Sequence, residues 1–145
     1  MWPSGKGAAV RQNLCLALGV LGGAISTLFG GWSGAMTTLL ICMAVDYLTG
    51  MVLAGVFRRS GKTESGALSS AAGLKGLTRK GMILLILLIS ARLDLLLETH
   101  FIRDGVCIAF LVNELISILE NAGAMGVPIP PPLERAIDLL RRKGE

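Results

Sequence analysis

An apolar run from Ala35 to Phe57 carries a single carboxylate, Asp46, near its middle. As a helix, its roughly 23 residues rise about 34 Å, enough to cross a bilayer. Asp46 then lies about 16 Å in, where a carboxylate costs at least ~2.5 kcal/mol. The chain must cover Asp46 with protein or water and give it a partner. Two readings satisfy that demand: a structural polar contact between helices, or a group whose pairing decides when an assembly opens.

The rest of the chain repeats the pattern of long apolar runs. Of 145 residues, 52% are hydrophobic and only 17% charged, a balance unlike that of a soluble domain. Runs at about 14–30, 35–57, 81–97 and 103–121 predict an all-α membrane protein with four transmembrane helices in two hairpins. Lys6 and Arg11 ahead of the first run resemble the start of a signal peptide. The run continues through Gly30-Gly31-Trp32-Ser33-Gly34 into the second, which favours a helical hairpin, with Trp32 as an interfacial anchor at its tip. Residues 58–80 form a basic loop, and the sequence leaves open whether part of it is helical. A Pro-rich linker, 123–132, leads to a short amphipathic tail helix over 133–145, expected on the membrane surface through Leu133, Ile137 and Leu140.

Charge sets the expected orientation. The N-terminus holds two basic residues, the 58–80 segment six and the tail four, which is twelve of the 14 in the chain. The hairpin tips, 30–34 and 98–104, hold only Arg103. Both termini on the cytoplasmic side place all three basic clusters where the positive-inside rule favours them. The net charge of +4 is then an orientation signal. No basic stripe is interleaved with aromatics, so a nucleic-acid partner is not expected.

The first run has small residues at four-residue spacing: Gly19, Gly23, Thr27 and Gly31 in one row, Gly22, Ser26, Gly30 and Gly34 in another. Such rows let helix backbones approach closely in lipid. Packing within one protomer and packing between protomers both fit.

Enzyme readings find little support. The one histidine, His100, sits in a short link without a second ligand, and Cys15, Cys42 and Cys107 lie in apolar runs as inert buried thiols. No metal site, cofactor or catalytic residue is expected. Depth counting instead predicts an intramembrane polar layer. Arg92 lies about 16 Å into the third run and Glu114 about 14 Å into the fourth, close to the level of Asp46. One guanidinium can fork between two carboxylates. Asp94 and Asn113 add polar groups beside them, Asp94 facing elsewhere on its helix.

The order of motifs resembles the phage-lysis and toxin-secretion holins, small membrane proteins of Gram-positive hosts and their phages. The matching pieces are Phe29-Gly30-Gly31-Trp32 and Asp46-Tyr47-Leu48-Thr49-Gly50. Ser69-Ser70, Lys75-Gly76-Leu77 and Arg79-Lys80 follow, then Asp94, then Asn113-Glu114 through Glu120-Asn121. Gly126-Val127-Pro128-Ile129-Pro130 completes the set. Together they cover about residues 15–140; Arg92 lies outside the pattern. The resemblance implies a non-enzymatic, multi-pass protein of the bacterial cytoplasmic membrane. It would form homo-oligomers and open lesions through which a muralytic endolysin acts or a toxin leaves. The endolysin is then a functional partner, not necessarily a physical one. A small ion or proton channel and a structural subunit of a membrane complex remain the competing classes.

Overall fold

The computed structural model describes residues 5–144, with side chains from 7 to 143. The side chain of Lys6 and the last residue of the tail, Glu145, lie outside the described residues. Every regular element described is helical: α1 (Gly5–Leu28), α2 (Gly34–Val52), α3 (Ser70–Leu97), α4 (Ile102–Ala124) and α5 (Pro131–Gly144). A π-helical turn, Leu53–Phe57, continues α2. Among the described residues, two helical stretches are long and apolar enough to cross a membrane, Gly7–Leu28 and Gly34–Phe57.

Local chemistry sets the boundaries. Ser33 caps α2, its side chain accepting from Met36 N, and Ser69 caps α3 by accepting from Ala72 N. The α1–α2 turn needs positive φ at Gly30 (72°) and Gly31 (95°), conformations that residues with a β-carbon rarely adopt. The 58–69 link closes on itself: Ser60 N donates to Gly66 O, and a β-carbon on Gly66 would collide with Arg58 O. Pro131 and Pro132 open α5, where a missing N–H costs nothing, while Arg141, Arg142 and Lys143 occupy its negative end.

The core is a three-helix contact. Met36, Leu39, Cys42 and Met43 of α2 meet Ile83 and Leu87 of α3 and Cys107 and Leu111 of α4. Their three- and four-residue spacing puts each set on one helical face. α4 is central and also receives α5. The apolar stripe of α5 therefore faces protein: Ile137 is buried and Leu140 half-buried, while Leu133 is exposed.

One point left open by the sequence is answered here, and one expectation shifts. Residues 70–80, assigned to the basic loop, are the first turns of α3, which at 28 residues is about 42 Å long. Only 58–69 is non-helical. And α1 stands clear of the core, with every described residue from Gly7 to Ile25 exposed. Cys15, expected buried, is exposed for that reason, whereas Cys42 and Cys107 are buried.

Candidate functional site

The inward stripe of α3 continues N-terminally from Asp94, Ala91, Ser90, Leu87 and Ile83 to Lys80. That register drives the Lys80 side chain between α2 and α4. Its Nζ donates to Asp46 Oδ2 at 2.9 Å and to Glu114 Oε2. Asp46 and Glu114 are 6% and 3% exposed, so one ammonium faces two buried carboxylates. Asn121 of α4 supports the pair from the other side. Its Nδ2 lies 3.2 Å from Asp46 Oδ1 and 3.0 Å from Thr49 Oγ1, donating to both. Asp46 thus ties α2 to α3 through Lys80 and to α4 through Asn121.

Tyr47, next on α2, packs against the start of α3. A β-carbon on Gly73 would sit 3.4 Å from its hydroxyl oxygen, and one on Gly76 3.8 Å from its ring. Gly50 faces Asn121, 3.8 Å from its Nδ2 by the same construction. Above the charged trio, a cavity of about 320 Å³ opens between α2, the start of α3, α4 and the 58–69 link. Tyr47, Lys62, Ser69, Arg79, Ser117 and Glu120 are among its lining residues. A polar space of that size holds several waters.

The five residues expected to form one polar layer separate into different settings. Asp46 and Glu114 meet, but through Lys80, not Arg92. Arg92 is exposed, about 100° around α3 from Ala91, and no ion pair involving it occurs among the described residues. It lies five residues from the end of α3, about 8 Å, so its long side chain can reach an interface. Asn113 is exposed at the cavity rim. Asp94 is a cap: it accepts from Thr99 Oγ1 at 2.7 Å, Ile102 N at 3.0 Å and Arg103 N at 2.8 Å. Because Phe101 offers no side-chain cap to α4, a carboxylate from α3 satisfies the first N–H groups instead.

Of the motif positions, Lys80 and Asn121 bond the Asp46 carboxylate, Thr49 and Gly50 lie against Asn121, and Gly76 lies against the Tyr47 ring. Glu120 is exposed at the cavity rim, and Lys75 is exposed beside the 58–69 link. Pro128 and Pro130 lie exposed in the segment between α4 and α5. Toward the middle of α1 the small-residue rows have no partner among the described residues: a β-carbon on Gly19, Gly22 or Gly23 would meet nothing within 4 Å. Ser26 is half-buried, and Gly30 lies against the Arg103 guanidinium.

Sequence reasoning missed the role of Arg103. Its Nη1 donates to the carbonyls of Phe29 (2.9 Å), Gly30 (3.0 Å) and Gly31 (3.0 Å), and Asp104 holds the guanidinium from behind. A cation thus satisfies the unpaired carbonyls at the end of α1 and ties the two helical hairpins together at their tips. The available signal was that Arg103 is the one basic residue in either tip.

Residues 23–142 match the model of the bacteriophage holin family. Among similar proteins, an uncharacterised protein of Clostridium perfringens (strain 13) is 40% identical over 134 residues, covering 90% of this chain and 93% of its own. An uncharacterised protein of Halalkalibacterium halodurans is 40% identical over 128 residues, 84% of this chain and 89% of its own. One from Listeria monocytogenes is 39% identical over 129 residues, 87% and 86% respectively. No solved structure matches.

Proposed function

The chain belongs to the bacteriophage holin family, and from that premise we propose that it assembles in the bacterial cytoplasmic membrane and opens lesions there. Family membership and the two long apolar helices support a membrane location, and the family implies a non-enzymatic role. On the proposed reading, α1 to α4 each span the bilayer, with both termini and the 58–69 link in the cytoplasm. The twelve of 14 basic residues at the N-terminus, in 58–80 and in the tail support that orientation. The exposed, apolar α1, with Gly19, Gly22 and Gly23 free of contacts among the described residues, supports assembly between copies. The product is an opening through which a muralytic endolysin reaches the wall.

The family match over most of the chain is the observation that carries this reading. The test is inducible expression in a bacterial host with and without a muralytic enzyme that lacks its own export signal. Release of a cytoplasmic reporter enzyme and lysis with the muralytic enzyme are expected. Loss of small ions without passage of either protein would instead make the chain a small-solute channel, the alternative that its buried charges favour.

A further inference from the structure

The seams around the cavity above the charged trio are not alike. Its roof, the 58–69 link, is held by Ser60 N to Gly66 O, Gly66 N to Thr63 O and Thr63 Oγ1 to Ala67 O, and Arg59 N donates to Leu53 O of the π-helical turn. Tyr47, packed on Gly73 and Gly76, closes the seam between α2 and α3. Asn121, bonded to Asp46 and Thr49, closes the seam between α2 and α4. The seam between α3 and α4 is flanked by every exposed polar residue that the helices bring to the lining: Arg79 on α3, Asn113 and Glu120 on α4. Asn113, Ile116 and Glu120 share one face of α4 by their spacing.

Arg79 and Glu120 are opposite charges at one level. Arg79 lies eighteen residues before Leu97, the end of α3, and Glu120 eighteen residues after Ile102, the start of α4. Each is about 27 Å along its helix from the end opposite the cavity, just short of the ~30 Å of a hydrocarbon core. On the four-span reading, on which this inference rests, both stand at the cytoplasmic boundary, where phospholipid headgroups begin. Neither takes part in an ion pair among the described residues. The charged lining as a whole balances: Lys62, Arg79 and Lys80 against Asp46, Glu114 and Glu120. It therefore favours neither an anion nor a cation, but a ligand that carries one charge of each sign.

We propose that the cavity takes the headgroup of a zwitterionic phospholipid of the cytoplasmic leaflet, which enters sideways between α3 and α4. The chemistry recognised is a phosphate diester with a primary ammonium two carbons away. Arg79 receives the phosphate, and Glu120 the ammonium, with the amide oxygen of Asn113 beside it. A trimethylated ammonium has no N–H to donate to that carboxylate and fits less well. The acyl chains stay in the bilayer, where Ile116 gives the mouth an apolar edge. A space of about 320 Å³, at the small end of ligand cavities, suits a headgroup and not its chains. The trio of Lys80, Asp46 and Glu114 is already paired and serves only as the floor. This inference goes beyond lesion formation, since it concerns one protomer and one lipid.

The experiment uses the full chain in detergent micelles, with bound lipid counted by native mass spectrometry, so that neither topology nor lysis enters the readout. The probes are phosphatidylethanolamine, phosphatidylcholine and phosphatidylglycerol with identical chains, and water-soluble glycerophosphoethanolamine. Phosphatidylethanolamine should bind about fivefold more tightly than either other lipid, the scale of one exposed charge pair. Glu120→Gln should abolish that preference, and Arg79→Gln should weaken phosphatidylethanolamine binding by about the same factor. Lys75→Ala, which removes a cation at the same end of α3 but outside this cavity, should change neither. Equal affinity for the three lipids overturns the proposal, as does a preference that survives Glu120→Gln or an equal loss in Lys75→Ala. Glycerophosphoethanolamine binding as tightly as the lipid would make the occupant a free solute and overturn the lipid assignment. Reporter fusions with an external C-terminus would overturn the four-span reading itself, and the proposal with it.

Discussion

Replacing Lys80 by Met keeps length and apolar contact while removing the one ammonium that Asp46 and Glu114 share. At an effective dielectric constant near 20, an ion pair at about 3 Å attracts by roughly 6 kcal/mol, and desolvation of the partners offsets most of that. The loss on mutation is governed by what is left behind: two carboxylates, 6% and 3% exposed, with no ammonium between them. Removing one partner of a buried pair costs about 3–5 kcal/mol, so Lys80→Met should fall in that range. The triple variant Lys80→Met, Asp46→Asn, Glu114→Gln deletes every charge in the trio and should recover most of the loss, since an amide at position 46 still offers Asn121 an acceptor oxygen. Lys80→Arg should lie between, because a guanidinium can fork between the carboxylates but does not reproduce the compact ammonium that both now face. Arg92→Gln is the control: an exposed residue without an ion pair, expected within about 0.5 kcal/mol of the parent. The assay is reversible unfolding in mixed micelles, followed by far-UV circular dichroism. If Lys80→Met and the triple variant are equally destabilised, the cost is lost packing rather than stranded charge. If Lys80→Met loses less than about 1 kcal/mol, the trio is solvated and the reasoning fails.

Arg103→Ala removes the bonds to three carbonyls at the end of α1, and spin labels on α1 and α3 should report a broader distance distribution; an unchanged distribution would mean that the half-buried Phe29 alone holds the tip. Gly76→Val puts a branched side chain against the Tyr47 ring and should cost about 1–3 kcal/mol, read as a lower unfolding midpoint, with Tyr47→Ala relieving part of it. Reporter fusions after residues 31 and 101 should read as external and those after 66 and 145 as cytoplasmic; an external C-terminus would contradict the proposed four-span arrangement.

Part of this architecture is legible in the amino-acid sequence itself. The hydropathy of 35–57 defines α2, and Gly30-Gly31 followed by Ser33 marks the turn and the cap. Asp46 and Glu114 declare themselves as carboxylates in apolar helices that need a partner. The identity of that partner was obscured by where α3 begins. Six basic residues in 58–80 read as a loop beside the membrane, so Lys80 counted toward orientation and Arg92 became the apparent counter-charge. Depth along a helix says nothing of direction around it. The stripe 80, 83, 87, 90, 94 carries Lys80 inward, and the same count carries Arg92 outward. The Ser69 cap was the usable clue, since it starts a helix at Ser70, ten residues before Lys80. Asp94 and Arg103 were harder to read. Their roles depend on how the helix ends and the two hairpin tips meet, which no periodicity within a single helix encodes.

The placement of the charged trio bears on how such a protein can open. On the four-span reading, Lys80, Asp46 and Glu114 join α3 to α2 and α4 at the inner end of the apolar core formed by Leu39, Leu87 and Cys107. Moving α3 away in a lone protomer would turn three charged groups toward hydrocarbon. Each costs up to about 2.5–3.5 kcal/mol, the value for the helix centre on the mildest scale, and their mutual attraction is lost as well. On that reading a single copy would stay shut. If the same movement takes place where neighbouring copies have enclosed water, the groups are solvated as they separate and most of that penalty disappears. Opening is then coupled to assembly by desolvation alone, without a dedicated trigger residue. The coupling is asymmetric: a change that strands charge in the closed protomer, such as Lys80→Met, lowers the cost of opening into water and should bring lysis earlier at equal membrane abundance. The charge-free triple variant has nothing to gain from water and should delay it. The same order of onset for both variants, measured by loss of culture turbidity, would show that charge solvation does not link assembly to opening.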